Sequence, residues 1–302
     1  MPGYRQIIKK SMIITAIILN YKNYQDVYDC IISLEKQKLP ANHRLDILVI
    51  DNFSEDNNTN RLQKDFPRYK YIFNSENYGF AKGVNQGIKA SQQQSDYFLL
   101  VNNDAILKGN CLELLLSESQ EKNIVGPAIC YKNKPDTIWQ GGGFFSKLKM
   151  SIDVPDKNKP YSPQTSKPVD FLSGCIMLIP KSIISTIGMF DEQFFFYGED
   201  LDFCLRAKEN NINPLYCPKA LAFHNIEDIS VSRTSAFVLN NLAFSYLLII
   251  KKHFYNLRYY GLFLLIFLYT PFRLYQIIKG KNQIKNINAW FIGARKAWQL
   301  KI

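Results

Sequence analysis

The chain has 302 residues, with 37 Lys and Arg against 26 Asp and Glu and a formal charge of +11. That length holds one large α/β unit with an appendage and a sizeable core, and a composition 47% hydrophobic excludes a disordered or fibrous chain. The charge is uneven: residues 229–302 carry 11 basic residues and no acidic one, leaving 26 of each sign in residues 1–228, so the main body is not a nucleic-acid-binding surface.

Lys9-Lys10 precede an apolar run, Met12 to Leu19, that ends at Asn20-Tyr21-Lys22 without a small-residue cleavage site. It reads as a first buried strand rather than a signal peptide, and places the chain on the cytoplasmic side. Leu45–Ile50, Tyr69–Phe73 and Tyr97–Val101 are further short strands, and Tyr24 to Lys38 has the helical spacing Val27, Cys30, Ile31, Leu34. Alternating β and α segments predict a mostly parallel sheet, in which ligands bind beyond the carboxyl ends of the strands.

Those ends carry Asn20-Tyr21, then Asp51-Asn52-Phe53-Ser54-Glu55-Asp56, then Asn74 through Gly79, then Asn102-Asn103-Asp104. Any one of them is an ordinary turn or cap residue; together they bring polar side chains to one edge. After Asn77 the segment Gly79-Phe80-Ala81-Lys82-Gly83-Val84-Asn85-Gln86-Gly87 opens a helix with small residues. Backbone N–H groups there can approach an anion, with Lys82 beside a pyrophosphate. Its spacing is neither the dinucleotide fingerprint nor a Walker A loop. Asp104 is a hard oxygen ligand for a divalent cation bridging two phosphates, and His224, after the strand-like Leu221-Ala222-Phe223, is its complement; His43 and His253 receive no role.

Residues 132–169 read as a long substrate-binding connection carrying Trp139-Gln140-Gly141-Gly142-Gly143. Asp170 to Pro180 reads as a buried strand in which Gly174 permits close approach, and Pro180-Lys181-Ser182 starts a helix. Phe194-Phe195-Phe196-Tyr197 then run to Gly198 and three acids, Glu199, Asp200 and Asp202. Acids in a first helical turn are favoured by the helix dipole; acids delivered to an apolar wall are also where a general base is built. Burial there raises a carboxyl pKa unless hydrogen bonds at the helix N-terminus offset it. Asp202 with Arg206 is expected as a surface pair at i, i+4 spacing.

Between Arg258 and Arg273 lies an uncharged aromatic-rich run, shorter than the ~20 residues of a spanning helix. With Trp290, Trp298 and basic flanks it fits a helix lying in a membrane interface, a buried hairpin or homodimer surface being the alternative. The six scattered cysteines read as reduced core thiols.

In their order these motifs resemble the family 2 glycosyltransferases of GT-A fold, most closely the bacterial rhamnosyltransferase-type members. The segments that carry the resemblance run from Thr15–Tyr21 and Val49–Ser54, through Asn77–Ala81 with Asn85-Gln86-Gly87, Leu99–Asp104 and Leu172-Ser173-Gly174, to Phe190-Asp191-Glu192, Glu199–Asp202 and His224. The resemblance implies a Rossmann-like GT-A domain over residues 1–235, with a mostly parallel sheet; the basic, aromatic-rich composition beyond it marks 236–302 as a helical, membrane-associating extension. The resemblance also implies that Asp51 contacts the nucleobase and that Asn20, Asn52 and Asn77 line the nucleotide pocket, with Gly79, Asn85, Asn102 and Asn103 also on the donor side; Lys82 stands where relatives often have a small residue, so its place beside the phosphates rests on its charge alone. Asp104 and His224 would hold Mg²⁺ or Mn²⁺. Asp200 would be the catalytic base, with Glu199 orienting the acceptor hydroxyl beside Gly174 and Tyr197. The family's paired-carboxylate element is here Asn102-Asn103-Asp104, which leaves strict metal dependence open.

The implied activity is inverting transfer of a sugar, rhamnose from dTDP-rhamnose or a hexose or galactofuranose from a UDP donor. Separately, the basic, aromatic tail points to an acceptor held at the membrane, a lipid-linked saccharide of a cell-surface polysaccharide of O-antigen or capsule type, reached at the inner face of the plasma membrane. A nucleotide-sugar-binding module without turnover, a nucleotidyl transferase and a nucleic-acid-binding protein are the rival classes.

Overall fold

The computed structural model describes residues 11–54, 58–225, 235–279 and 286–301; Lys9, Lys10, Glu55 and Asp56 lie outside the described residues. Strand β1 (Met12–Asn20) pairs in parallel with β2 (His43–Asp51) on one side and β4 (Tyr97–Asn102) on the other, and β3 (Lys70–Phe73) extends the parallel set beyond β2. Successive side chains of a strand face opposite ways. Ile14, Ala16 and Ile18 therefore enter one core with Val27, Ile31 and Leu34 of helix α1 (Tyr24–Glu35) and Leu112 and Leu115 of α4 (Cys111–Ser119). Ile17 enters a second core with Val84 and Ile88 of α3 (Gly79–Ser91). A strand covered on both faces is apolar throughout, which is why β1 carries no alternation.

Helix α3 lies close on the sheet because Gly83 and Gly87 have no side chain. A Cβ on Gly83 would stand 2.5 Å from Leu19, and one on Gly87 2.6 Å from Ile17. These two glycines serve helix–sheet packing rather than a backbone anion cradle.

The rest of the sheet is mixed. Strand β11 (Ile176–Pro180) runs antiparallel to β4, and also pairs antiparallel with β6 (Val125–Tyr131); β6 in turn pairs in parallel with β12 (Leu215–His224). The short β5 (Ala105–Leu107) joins β12. Ile176 opposite Val101 and His224 opposite Ala105 bring the start of β11 and the end of β12 to the carboxyl edge of β1, β2 and β4. The expected long connection 132–169 instead contains β7 (Lys134–Gln140), the hairpin β8 (Phe144–Ser146) and β9 (Ser151–Asp153), and β10 (Lys167–Pro168). Strands β8, β9 and β10 are only two or three residues long, and β7 opens with the polar Lys134-Pro135-Asp136-Thr137, so their sequence lacks a strand signature. The expected strand from Asp170 begins only at Ile176, because Ser173-Gly174 bend across the edge. All six cysteines are buried and free.

After α5 (Lys181–Ile187) and α6 (Glu199–Glu209), the chain ends in α7 (Ala236–His253), α8 (Tyr255–Lys279) and α9 (Ile287–Gln299). Helix α9 packs against α7 closely enough that a Cβ on Gly293 would lie 2.0 Å from the Asn240 carbonyl. The buried Lys251 ammonium donates to the carbonyls of Ala297, Trp298 and Leu300, which have no partner within α9. Helix α7 is also fastened to α6. Asp202, fully buried, accepts from Arg206 at 2.8 Å, Lys252 at 2.6 Å and His253 at 2.9 Å, while Lys252 also reaches Asp191. Asp202 and Arg206 are thus part of an interior network and not the expected surface pair, since the tail covers them. Burial would lift the Asp202 pKa, but the His253 hydrogen bond and the Arg206 and Lys252 charges outweigh it and hold the carboxyl well below its usual range.

Removing Lys252 leaves this carboxylate short of a partner. Lys252→Ala is expected to cost about 3–5 kcal/mol in urea denaturation at neutral pH. A carboxylate with a depressed folded pKa stabilises above its unfolded value and loses that contribution as pH falls. The deficit of Asp202→Asn relative to wild type should therefore be largest at neutral pH and shrink below about pH 4.

Candidate functional site

Three groups of residues meet at the carboxyl edge. The first surrounds the ends of β1 and β2. Asp51 is buried and accepts from the Ser54 backbone N–H at 2.9 Å and from the Ser54 hydroxyl. Asn20 sits beside Asp51 in register, donates to Ser54 Oγ at 3.4 Å and accepts from Asn103 at 3.1 Å. Asn52 binds Asn77 at 2.8 Å and the Gly79 carbonyl at 3.1 Å, and accepts from Asn74 and the Tyr78 backbone. Asn52 and Asn77 thus hold the loop that enters α3.

Two residues expected on the donor side are engaged elsewhere. The Asn85 amide is 2% exposed and pins the 190–192 segment, donating to the Phe190 carbonyl and Glu192 and accepting from the Phe190 N–H. The Lys82 ammonium lies 3.7 Å over the Tyr78 ring. Gly79 has a left-handed φ of 76°, and a Cβ there would fall 2.3 Å from the Phe195 carbonyl, which accepts from the Phe80 N–H at 2.9 Å. The aromatic run before the acids is therefore seated on the loop that follows β3.

The second group is the start of α6. Gly198 precedes the helix at φ +90°, and a Cβ on it would press on Ser245 of α7 and on the Phe194 ring. The Ser245 hydroxyl donates to the Tyr197 carbonyl at 2.6 Å, fixing Tyr197 at a φ of 69°. Asp200 accepts from the Gly174 N–H at 3.1 Å and the Leu201 N–H at 2.9 Å. Burial pushes its pKa up to about 6, with the Gly174 and Leu201 N–H groups holding it there. Glu199 is buried with one carboxylate oxygen unpartnered, and burial followed by the Asp200 charge raises its pKa well above the usual range. Both carboxyls are thus held above the usual range, Glu199 by burial and the neighbouring charge and Asp200 by burial that its two N–H partners oppose. Burial and backbone hydrogen bonding, the two opposing effects expected from the sequence, are both present.

The third group is Asp104 with His224, Oδ1 and Nε2 being 2.8 Å apart. Burial disfavours the imidazolium, but the neighbouring Cys175 thiol and the Asp104 carboxylate outweigh it and push the His224 pKa up to about 10. The His224 Nδ1 atom is buried and makes no hydrogen bond, and the Trp139 ring stands 4.4 Å from the imidazole. Among the described residues no cluster of three or more His, Cys, Asp or Glu side chains forms a complete metal cage. One carboxylate and one imidazole fit a cation that takes its other ligands from a bound diphosphate and water.

The short segment Gly174-Cys175 joins the second and third groups. Its Gly174 N–H binds Asp200, its Cys175 carbonyl accepts from the Asn102 N–H at 2.8 Å, and its thiol faces His224. Cys175 and Trp139 have no sequence signal for this placement, because both depend on β11 and β7 crossing the edge.

A profile of the family described as "Glycosyl transferase family 2" matches residues 15–188. A low-salt glycan biosynthesis hexosyltransferase, Agl10, of Haloferax volcanii is 28% identical over 221 residues, covering 70% of this chain and 67% of that protein. An N-acetylglucosaminyl-diphospho-decaprenol L-rhamnosyltransferase of Mycobacterium tuberculosis is 22% identical over 218 residues, covering 64% and 70%. Among solved structures, GalNAc-T7 with UDP, GalNAc and Mn²⁺ superposes with a TM-score of 0.58 at 12% identity, a likeness of fold. The superposition covers 72% of this chain, which spans 43% of that one.

Gly79→Ala places a side chain at a left-handed φ and against a carbonyl. The expected loss is about 1–3 kcal/mol in chemical denaturation.

Proposed function

The chain belongs to glycosyl transferase family 2 and has a GT-A fold, and from that premise we propose that it transfers a sugar from a nucleoside-diphosphate donor to a saccharide hydroxyl with inversion. The observation that carries the proposal is the pair of adjacent acids at the start of α6, Glu199 buried and Asp200 half-buried, with burial raising the Asp200 pKa to about 6 and the Gly174 N–H tying it to the strand edge. A nucleotide-sugar-binding module without turnover has no need for two adjacent acids of raised pKa there.

In the proposed reaction the acceptor hydroxyl lies against Asp200, with Glu199 and Tyr197 beside it. Asp200 takes the hydroxyl proton as the acceptor oxygen forms its bond to the anomeric carbon. The bond from that carbon to the diphosphate breaks on the opposite face, and its electron pair leaves with the nucleoside diphosphate. Asp51 and Asn20 hold the nucleobase end, and Asn103 and the Asn52–Asn77 loop shape the pocket around it. Asp104 and His224 would hold a divalent cation, which when bound supplies positive charge to the leaving diphosphate.

We favour dTDP-rhamnose as donor, in keeping with the rhamnosyltransferase relative, with a UDP-hexose or UDP-galactofuranose as the alternative that the hexosyltransferase relative supports. The acceptor proposed is a lipid-linked saccharide of a cell-surface polysaccharide, a class to which the diphospho-decaprenol named for that relative belongs. The enzyme would meet it at the cytoplasmic face of the membrane, with residues 1–235 as the catalytic domain and 236–302 as the membrane-associating region.

Asp200→Asn should lower turnover roughly 10²–10⁴-fold with donor affinity by calorimetry nearly unchanged; undiminished turnover would remove the assignment. Because the base works ionised, the wild-type rate should fall about tenfold per unit as pH drops below about 6. In a panel of dTDP- and UDP-sugars scored by nucleotide release, dTDP-rhamnose is expected to be turned over fastest, and more rapidly with Mn²⁺ or Mg²⁺ than with chelator.

A further inference from the structure

Helix α8 is long and apolar enough to cross a membrane, being 25 residues rather than the shorter segment that Arg258 and Arg273 delimit in the sequence. Its two faces differ. On one, Gly261 packs against Ile250, Leu264, Leu265 and Ile277 are buried, and Thr270 accepts a hydrogen bond from the Trp290 indole. Tyr260 and Tyr269 donate from their hydroxyls to the carbonyls of Leu148 and Lys149, which ties α8 to the tip of the β8–β9 hairpin.

On the other face Tyr259, Phe263, Phe267, Phe272, Tyr275 and Ile278 are each more than half exposed. Their spacing is four, four, five, three and three residues, and the five-residue step, Phe267 to Phe272, begins within the π turn of Leu265–Tyr269. A π turn takes an extra residue per turn, and here it keeps the exposed aromatics and the buried positions on their separate sides. The hairpin tip continues the surface with Lys147, Leu148 and Lys149, all exposed; Leu148 is 76% exposed, more than any other large apolar side chain described.

Resting on the membrane-associated glycosyl-transfer reading above, we propose that the outer face of α8 and the Lys147–Lys149 hairpin tip form one docking surface for an anionic phospholipid bilayer. Helix α8 lies in the interface, parallel to the membrane, and does not cross it. Charge selects this occupant. Helix α8 carries Arg258, Arg273 and Lys279 and no acid, and the hairpin tip adds Lys147, so a second copy placed on the same face would set like charges against each other, whereas anionic headgroups neutralise them. Packing selects the orientation. A spanning helix would have to leave α7, α9 and the hairpin, uncovering the buried contacts of Gly261, Ile277 and Thr270, and would place Arg273 in hydrocarbon. A helix with one face on protein and an aromatic face outward instead buries that face at the headgroup boundary.

The test uses the full chain and vesicles of phosphatidylcholine with or without phosphatidylglycerol, with no sugar donor. Sedimentation should show binding that needs the anionic lipid and that falls at least about tenfold in Phe263→Glu with Phe267→Glu. Leu148→Trp fluorescence should be quenched by brominated lipid, which reports the hairpin independently of the helix. Release by alkaline carbonate is expected for an interfacial helix. Unchanged vesicle binding in the double variant, an unquenched Trp at 148, or resistance to carbonate would each overturn the proposal, as would a dimer by light scattering that the double variant dissolves. Transfer to a soluble saccharide acceptor without vesicles should persist in the double variant. Loss of wild-type transfer there would fault the enzymatic reading and leave the vesicle result standing.

Discussion

Burying a carboxylate is costly unless its charge is matched or removed, and the first turn of α6 meets that constraint in three ways within four residues. Asp202 is matched by Arg206, Lys252 and His253 and stays charged. Asp200 is given two backbone N–H groups and no cation, so it sits near the point of ionising. Glu199 has an oxygen with no partner, and burial raises its pKa well above the usual range. The rest of the site is arranged about this turn: the aromatic run rests on Gly79, α7 covers Gly198, and Gly174 reaches in from β11.

One consequence concerns the tail. Helix α7 holds the turn at two points, through Ser245 on the Tyr197 carbonyl and through Lys252 and His253 on Asp202. The region proposed to meet the membrane therefore also shapes the position of Asp200. A perturbation that shifts α7 by even a fraction of a helical turn would act on the base through those same bonds, because packed interiors transmit displacement rather than absorb it.

How far the sequence discloses all this follows the range of the interactions. The β/α alternation is legible because period and strand-end polarity are local, and β1, β2, β3 and β4 lie within two residues of their expected bounds. The meeting of Asp51, Asp104, His224 and Asp200 at one edge is legible because parallel strands end together and motif order constrains which ends they are. The strands inside 132–169 are not, since β8, β9 and β10 are two or three residues long and too short to show an alternation. Asn85 shows the same limit of local pattern, because a polar residue on a helix near the site looks the same whether it faces a ligand or, as here, Phe190. Asp202 with Arg206 has the spacing of a surface pair, and only the arrival of α7 makes it interior.

Asn102 bears on how a cation would be held. A carboxylate there would add a second negative charge beside Asp104, and the free protein would carry repulsion that only the metal relieves. With an amide in its place, Asp104 is satisfied by His224 in the free protein, and the edge is stable before any ligand arrives. The same economy weakens the hold on a free cation, because one carboxylate and one imidazole leave most of its coordination to be filled. The diphosphate oxygens of the donor are the natural complement, so in the proposed reaction cation and donor bind as a unit, each raising the affinity of the site for the other by the same factor.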